Sequence, residues 1–175
     1  MKNHLRAYFR GLRKSIEPEA RIRAEKALIA QLEELSKEFD FVASFSSYGS
    51  EIDLSAINRK LASQNRLLLP RRCGEELHFY AVSDLSALEG ESLKEPNPSI
   101  CTRVCLFSKR VLLLVPGLAF SLDLYRLGSG KAFYDRFLEK HPEIFSVGVG
   151  FLSQLASDPL PRELWDRPVS KLILV

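Results

Sequence analysis

Between Arg126 and Asp135 the chain reads Arg-Leu-Gly-Ser-Gly-Lys-Ala-Phe-Tyr-Asp, which sets two cations, two glycines, a phenol and a carboxylate in one short stretch. Gly128 and Gly130 let the backbone approach an anion closely. The free amides of the helix expected from Lys131 onward would meet that anion with the positive end of the helix dipole. Arg126 and Lys131 add two mobile positive charges, and phosphate is the natural ligand. A strand-to-helix turn that merely needs glycine would look the same. A dinucleotide fingerprint would need glycine where Phe133 stands, and a Walker loop would need Ser or Thr where Ala132 stands, so neither standard phosphate motif is complete.

The elements that must hold this stretch follow from hydrophobic period and breakers. Val111 to Val115 is a buried strand whose apolar run meets Pro116-Gly117, and the helix from Lys131 to Lys140 ends at His141-Pro142. Phe41 to Ser46 reads as the first strand, with Asp53 capping a helix that buries Leu54, Ile57 and Leu61. Glu51 lies in the turn between them, at a strand's carboxyl end, where open α/β sheets bind ligands. It is therefore a candidate ligand contact, and a solvated loop acid otherwise.

Residues 2–14 form a helix with Leu5, Phe9 and Leu12 on one face and Lys2, Arg6, Arg10 and Arg13 in an adjacent stripe. A second helix opens at Glu17-Pro18 and runs to about Lys37, with Ala24, Leu28, Leu32 and Leu35 facing the core. Further strands are expected at Arg66 to Pro70, at Leu77 to Val82, at Ser146 to Phe151 and at Lys171 to Val175. Arg71 and Arg72 enter a loop, and residues 83–108 are irregular with a short helix near Cys101. The fold class is α/β, a single layered domain over residues 1–175 with a mainly parallel mixed sheet flanked by helices and a glycine-rich phosphate loop leading into a helix.

The 175 residues, 46% hydrophobic and 27% charged, have the composition of an ordinary soluble protein able to bury a core. Net charge is only +3, yet Lys2, Arg6, Arg10, Arg13 and Lys14 precede the first acid, Glu17. Such a patch suits phosphates, while the near-neutral remainder argues against wrapping nucleic acid. Arginines interrupt every N-terminal apolar run, and no run is long enough to span a bilayer, so no membrane association and a cytoplasmic location are expected. Cys73, Cys101 and Cys105 are odd in number and irregularly spaced, and read as reduced small hydrophobes.

Pro116-Gly117-Leu118-Ala119-Phe120, a spacer, and then Arg126-Leu127-Gly128-Ser129-Gly130-Lys131-Ala132-Phe133-Tyr134-Asp135-Arg136-Phe137-Leu138 resemble the hallmark of the 5-formyltetrahydrofolate cyclo-ligase family. The likeness spans nearly the whole chain. It begins with Lys2-Asn3-His4-Leu5-Arg6, continues through Glu51-Ile52-Asp53, Leu69-Pro70-Arg71 and Glu95-Pro96, and closes with Gln154, Leu160-Pro161 and Asp166. The resemblance implies ATP-dependent closure of 5-formyltetrahydrofolate to 5,10-methenyltetrahydrofolate by a monomer that uses Mg²⁺. It implies ATP contacts at Lys2 and Arg6 and along Arg126, Leu127, Gly128, Ser129, Gly130, Lys131, Ala132, Phe133 and Tyr134. Catalytic roles fall to Arg126, Lys131 and Tyr134, folate contacts to Ser46, Glu51 and Tyr134, and Mg²⁺ ligands to Asp135 and Asp166.

The chain departs from the family pattern in places. Ser121 stands where the family has Asp, Leu124 replaces a turn glycine, Ala132 replaces the third glycine, Phe133 replaces the first of two tyrosines, and Trp165 stands where His is common. Ala132 and Phe133 are mild changes if the local backbone keeps φ negative, and Asp123 is a candidate substitute for the missing carboxylate. These departures leave a second reading, a diverged member that binds folate or nucleotide without turnover. A nucleic-acid-binding domain built on the basic N-terminal helix is the third, and no interleaved aromatic platform supports it.

Overall fold

The computed structural model describes residues 1–90, 95–104 and 110–175. Its centre is a seven-stranded sheet whose strands are β1 (Phe41–Ala43), β2 (Leu67–Cys73), β3 (Glu76–Ala81), β6 (Thr102–Arg103), β7 (Val111–Val115), β10 (Phe145–Gly150) and β11 (Lys171–Leu174). The order is β11-β10-β7-β1-β2-β3-β6. The first five in that order are mutually parallel, while β3 and β6 are added antiparallel. Two small ribbons stand outside it, β4 (Leu88–Glu89) with β5 (Glu95–Pro96), and β8 (Ala119–Phe120) with β9 (Arg126–Leu127).

The near-continuous apolar run of β7 is explained by burial on both faces. Leu112 and Leu114 join Leu28, Leu32, Ile57 and Leu61 from helices α2 (Pro18–Ser36) and α3 (Ser55–Ser63) on one side. Val111, Leu113 and Val115 join Phe137 and Leu138 of α4 (Phe133–Lys140) on the other. Helix α1 (Lys2–Lys14) covers neither face. Its Phe9, with Leu5 and Leu12, packs on Ala119, Leu127, Ala156 and Leu160, so the N-terminal helix lies against the β8–β9 hairpin and the cationic stripe beside that seam comes close to it.

Several boundaries differ from those the sequence suggested. β1 ends at Ala43 rather than Ser46, since Ser44 N still donates to Leu68 O of β2 but the residues after it turn to other partners. Asn58 Nδ2 donates to Phe45 O at 3.0 Å and Ser47 Oγ donates to Ile52 O at 2.7 Å. β2 runs through Arg71 and Arg72 to Cys73, since antiparallel pairing with β3 supplies partners that local sequence does not announce. Helix α3 begins at Ser55 with Leu54 as N-cap, and Asp53 acts one step earlier, its Oδ1 accepting from Ser55 N at 2.8 Å.

The expected helix near Cys101 is instead a turn. Asn97 O accepts from the backbone N–H of Ile100 and Cys101, and Asn97 Oδ1 accepts from Ser99 N, an Asx turn between prolines. Cys73 is half-buried and Cys101 buried, and Cys105 lies outside the described residues. Among the described residues no helix is long and apolar enough to cross a membrane.

The hairpin is seated on the sheet by one ring. Phe120 is fully buried, and a Cβ added at Gly148 of β10 would fall 2.6 Å from its Cε1 and 2.7 Å from Leu172 Cδ2. Gly148→Ala is therefore expected to destabilise the fold by about 1–3 kcal/mol through overpacking. A urea midpoint unchanged from the parent would show that the ring and the ribbon yield freely.

Candidate functional site

At the carboxyl ends of β1 and β7 the chain encloses a cavity of about 550 Å³. Ser46 and Glu51 line it from the loop after β1. Pro116, Gly117 and Leu118 line it from the loop after β7, Pro70 and Leu77 from β2 and β3, and Arg126, Gly128, Ser129, Lys131, Ala132, Phe133, Tyr134 and Asp135 from the hairpin and the start of α4. The structure thus gathers most of the residues singled out in the sequence. Lys2, Arg6, Leu127, Gly130 and Asp166 do not line the cavity, and Leu127 spends its side chain in the seam with α1.

Arg6 and Gly130 nevertheless meet at the edge of the loop. Arg6 Nε donates to Gly128 O at 2.9 Å, and a Cβ on Gly130, whose φ is +104°, would stand 3.4 Å from Arg6 Nη2. Lys2 is further along, where its Nζ donates to Asp166 Oδ2 at 2.8 Å. Asp166 also accepts from Glu163 N at 2.8 Å.

Arg126 is not the mobile cation that its position in a polar stretch suggested. Its Nη2 lies 3.0 Å from Asp135 Oδ2, with both side chains buried, and Asp135 Oδ1 accepts from Arg167 N at 3.1 Å. Burial lowers the Arg126 pKa, and the charge of Asp135, with that of Asp166, opposes this, so both carboxylates act on one guanidinium. Among the described residues no group of three or more His, Cys, Asp or Glu forms a metal cage. Asp135 and Asp166 are hard oxygen donors of the kind magnesium takes, but Asp135 already pairs with Arg126 and Asp166 with Lys2, so a metal ion would have to displace those contacts.

The backbone of the loop also departs from expectation. Ala132, expected to be a mild replacement if φ stayed negative, has φ +52°, and Leu124 has φ +71°. Helix α4 consequently begins at Phe133, two residues later than the helix formers suggest. Asp123 does not enter the cavity in place of the missing aspartate, because Ser121 Oγ donates to it and Arg162 pairs with it. Arg162 also stacks 3.8 Å over the Tyr125 ring.

Glu51 is fixed by its own turn. Its N–H donates to Tyr48 O at 3.1 Å, and Tyr48 N–H donates to Glu51 Oε2 at 3.0 Å, with Gly49 at φ +63° between them. Burial raises the Glu51 pKa from the ordinary 4.5, with the Tyr48 N–H and Arg13 opposing. Burial likewise raises the Tyr134 phenol, the charge of Glu51 adds to this, and Arg126 counters it, so Tyr134 faces the cavity as a neutral donor.

Sequence reasoning placed Arg10 and Arg13 in a basic stripe without seeing that its far end enters the cavity, where Arg10, Arg13 and Lys14 all line the wall. It missed Tyr48, and it put Arg72 in a loop, although Arg72 lines the cavity from β2 and its Nε holds Glu95 Oε1 at 2.7 Å. The helical spacing of Arg6, Arg10 and Arg13 was the signal that could have found the first group. The second depends on pairing of β2 with β3 and on the ion pair from Arg72 to Glu95 of β5, which have no local signature.

The raised pKa of Glu51 has a stability consequence with a definite sign. A group whose folded pKa exceeds its unfolded value favours folding most when it is protonated, below about 4.5, and that contribution is lost as pH rises through the folded value. Glu51→Gln, neutral at every pH, should therefore melt above the parent at pH 7 to 8, with the difference shrinking as pH falls below the carboxylate range. Scanning calorimetry across pH 3.5 to 8 checks this, and a gain that grows toward acid would contradict it.

The comparisons agree with the geometry. The sequence matches the model of the 5-formyltetrahydrofolate cyclo-ligase family over residues 1–175. It is 31% identical over 144 residues to the 5-formyltetrahydrofolate cyclo-ligase of Escherichia coli (strain K12), covering 75% of this chain and 76% of that protein. The structure is similar to the NMR structure of Aquifex aeolicus 5,10-methenyltetrahydrofolate synthetase, with a TM-score of 0.84 and 32% identity over 99% of this chain and 89% of the other. It shares its fold with a 5,10-methenyltetrahydrofolate synthetase from Mycoplasma pneumoniae, with a TM-score of 0.72 and 20% identity over 98% of this chain and 97% of the other. A sheet with its cavity at the strand ends, a glycine-broken approach to α4 and a match that runs from the first residue to the last place this chain in the 5-formyltetrahydrofolate cyclo-ligase family.

Proposed function

We propose that this protein closes 5-formyltetrahydrofolate to 5,10-methenyltetrahydrofolate, using ATP and releasing ADP and phosphate. The observation that carries the reading is that one cavity is lined by Glu51 and Tyr134, by apolar groups such as Phe45, Pro70 and Leu118, and by Gly128, Ser129 and Lys131 of the loop. The first two sets have the chemistry for a pterin and the last for a phosphoryl group.

The N5-formyl group is an amide whose oxygen leaves poorly. Phosphorylation of that oxygen by the γ-phosphate makes phosphate the leaving group. N10 then attacks the formyl carbon and loses its proton, and the carbon–oxygen bond breaks as the ring closes. Transfer of this kind is helped chiefly by positioning and by neutralising charge on the moving oxygens. Arg6, already against Gly128 O, and Lys2 would hold the triphosphate from α1, and the Gly128 to Lys131 amides would hold it from the loop. Tyr134 would pack on the pterin and orient the formyl group, and Ser46 would complete the wall beside Glu51.

Asp135 and Asp166, which share the field of Arg126, are the residues that would hold Mg²⁺, and the ion would neutralise phosphate charge there. Lys131 differs from the other cations. Lys2, Arg6 and Arg126 are each bonded to protein groups, whereas the exposed Lys131 ammonium has no acceptor among the described residues. That freedom suits a side chain that follows the phosphoryl group through transfer.

The test is near-ultraviolet absorbance of the protein with 5-formyltetrahydrofolate and Mg-ATP, against a control without ATP. ATP-dependent growth of the methenyl band is expected. Tight binding without growth would leave the diverged binder as the reading, and neither binding nor growth would remove folate altogether. Lys131→Ala should lower turnover by about 10²-fold, as for other transition-state donors, while thermal stability stays within error because its ammonium holds nothing. Turnover equal to the parent would take Lys131 out of the transfer step.

A further inference from the structure

Arg13 is 6% exposed, at the last turn of α1, and lines the cavity on the same side as Glu51. Its Nε donates to Ser50 Oγ at 3.0 Å and its Nη1 to Gly117 O at 3.3 Å. Among the described residues nothing accepts from Nη2, and no ion pair within 4 Å joins Arg13 to Glu51, although the two attract each other through the low-dielectric interior. Nη2 is not one of the buried atoms left without a partner, so it opens to the cavity, where a ligand acceptor can take the place of water. The backbone around it is fixed independently. Arg21 Nη2 donates to Arg13 O at 2.8 Å, and Arg21 Nη1 reaches Ser50 O and Glu51 O at 3.3 and 3.4 Å.

The cavity wall therefore offers an acceptor carboxylate and an unspent cationic donor side by side, held on two elements that Arg21 ties together. The pyrimidine edge of a reduced pterin presents the complementary pattern, with two donors at N3–H and the 2-amino group and an acceptor at the 4-oxo oxygen. We propose that Arg13 is a substrate-binding residue whose free guanidinium N–H groups hold the 4-oxo oxygen of the pterin while Glu51 takes the N3–H and 2-amino donors. This rests on the folate reading above. It assigns the choice of a 4-oxo ring to α1, the same helix that carries Lys2 and Arg6.

The experiment compares two ligands by calorimetry without ATP, 5-formyltetrahydrofolate and its 4-amino counterpart, in which a donor replaces the 4-oxo acceptor and N3 loses its hydrogen. The parent protein should prefer the 4-oxo ligand by about tenfold to 100-fold, the range of a hydrogen bond to a charged group. Arg13→Met, which keeps the stem and removes the donors, should lower that ratio by the share owed to the 4-oxo contact, keep the share that Glu51 takes from N3–H, and leave the affinity for ATP within about threefold. Arg13→Lys should retain part of the preference.

A parent that binds the two ligands equally overturns the proposal without any variant, as does an Arg13→Met protein that loses affinity for both in the same proportion. Should Arg13→Met fail to fold, the parent ratio and Arg13→Lys still decide, since unaltered selectivity in Arg13→Lys with a parent ratio near one leaves no role for the cation. A parent that binds neither ligand defeats the folate reading itself, a result distinct from binding without discrimination.

Discussion

The buried pair of Arg126 and Asp135 fixes the geometry on which the rest of the site depends. One partner comes from the β8–β9 hairpin and the other from the first turn of α4, so their 3.0 Å contact staples both ends of the glycine-broken segment that runs between them. Charges taken out of water in this way are costly to bury, and losing one partner typically costs about 3–5 kcal/mol because the other is left uncompensated. The pair therefore has more value as a constraint on geometry than as a source of net stability. Asp135 also accepts from Arg167 N, which draws the segment carrying Asp166 to the same point. Hairpin, helix start and C-terminal loop thus share a single charged junction.

A second constraint comes from the sheet. Strands β7, β1 and β2 alternate their side chains between two apolar clusters, so neither face is free for a ligand and the strand ends are the open surface. Helix α1 cannot join either layer without displacing α2, α3 or α4. It packs instead on the hairpin through Phe9 and turns its cations toward the loop and the cavity. The basic stripe is consequently a result of where the leftover apolar seam lies. The same packing that buries Phe9 delivers Arg6 to Gly128 and Arg13 to Gly117.

How legible this was depends on how local each cause is. The α2 stripe of Leu28 and Leu32, the apolar run of β7 and the turn at Glu51 are written within a few residues, and the structure bears them out. The extension of β2 to Cys73 is not. Pro70 and two arginines read locally as the end of a strand, and only pairing with β3 supplies the partners that overrule that reading. The commitment of Arg126 was hidden for the same reason. Nothing in Arg-Leu-Gly says that a carboxylate from the following helix will bury the guanidinium, and polar neighbours suggested exposure. Arg13 was legible as a cation but not as a buried one, because burial of the last turn of α1 is decided by Ser50 and Gly117, far away in sequence.

Two of the positions read in the sequence as departures from the family pattern, Leu124 and Ala132, fall in left-handed backbone, with φ of +71° and +52°. A side chain there costs on the order of 1 kcal/mol relative to glycine, so the conformation must be imposed from outside. At Leu124 the imposition is visible. Its N–H donates to Ser121 O at 2.9 Å, its carbonyl accepts from Val169 N at 2.9 Å, and its side chain packs against the α4-side cluster. At Ala132 the carbonyl accepts from Arg136 N at 3.0 Å, and Asp135, three residues on, is pinned by Arg126. Glycine would reach these conformations freely, while here hydrogen bonds and packing hold them. Replacing glycine at these positions also removes conformations from the unfolded chain, which offsets part of the local cost of the left-handed backbone.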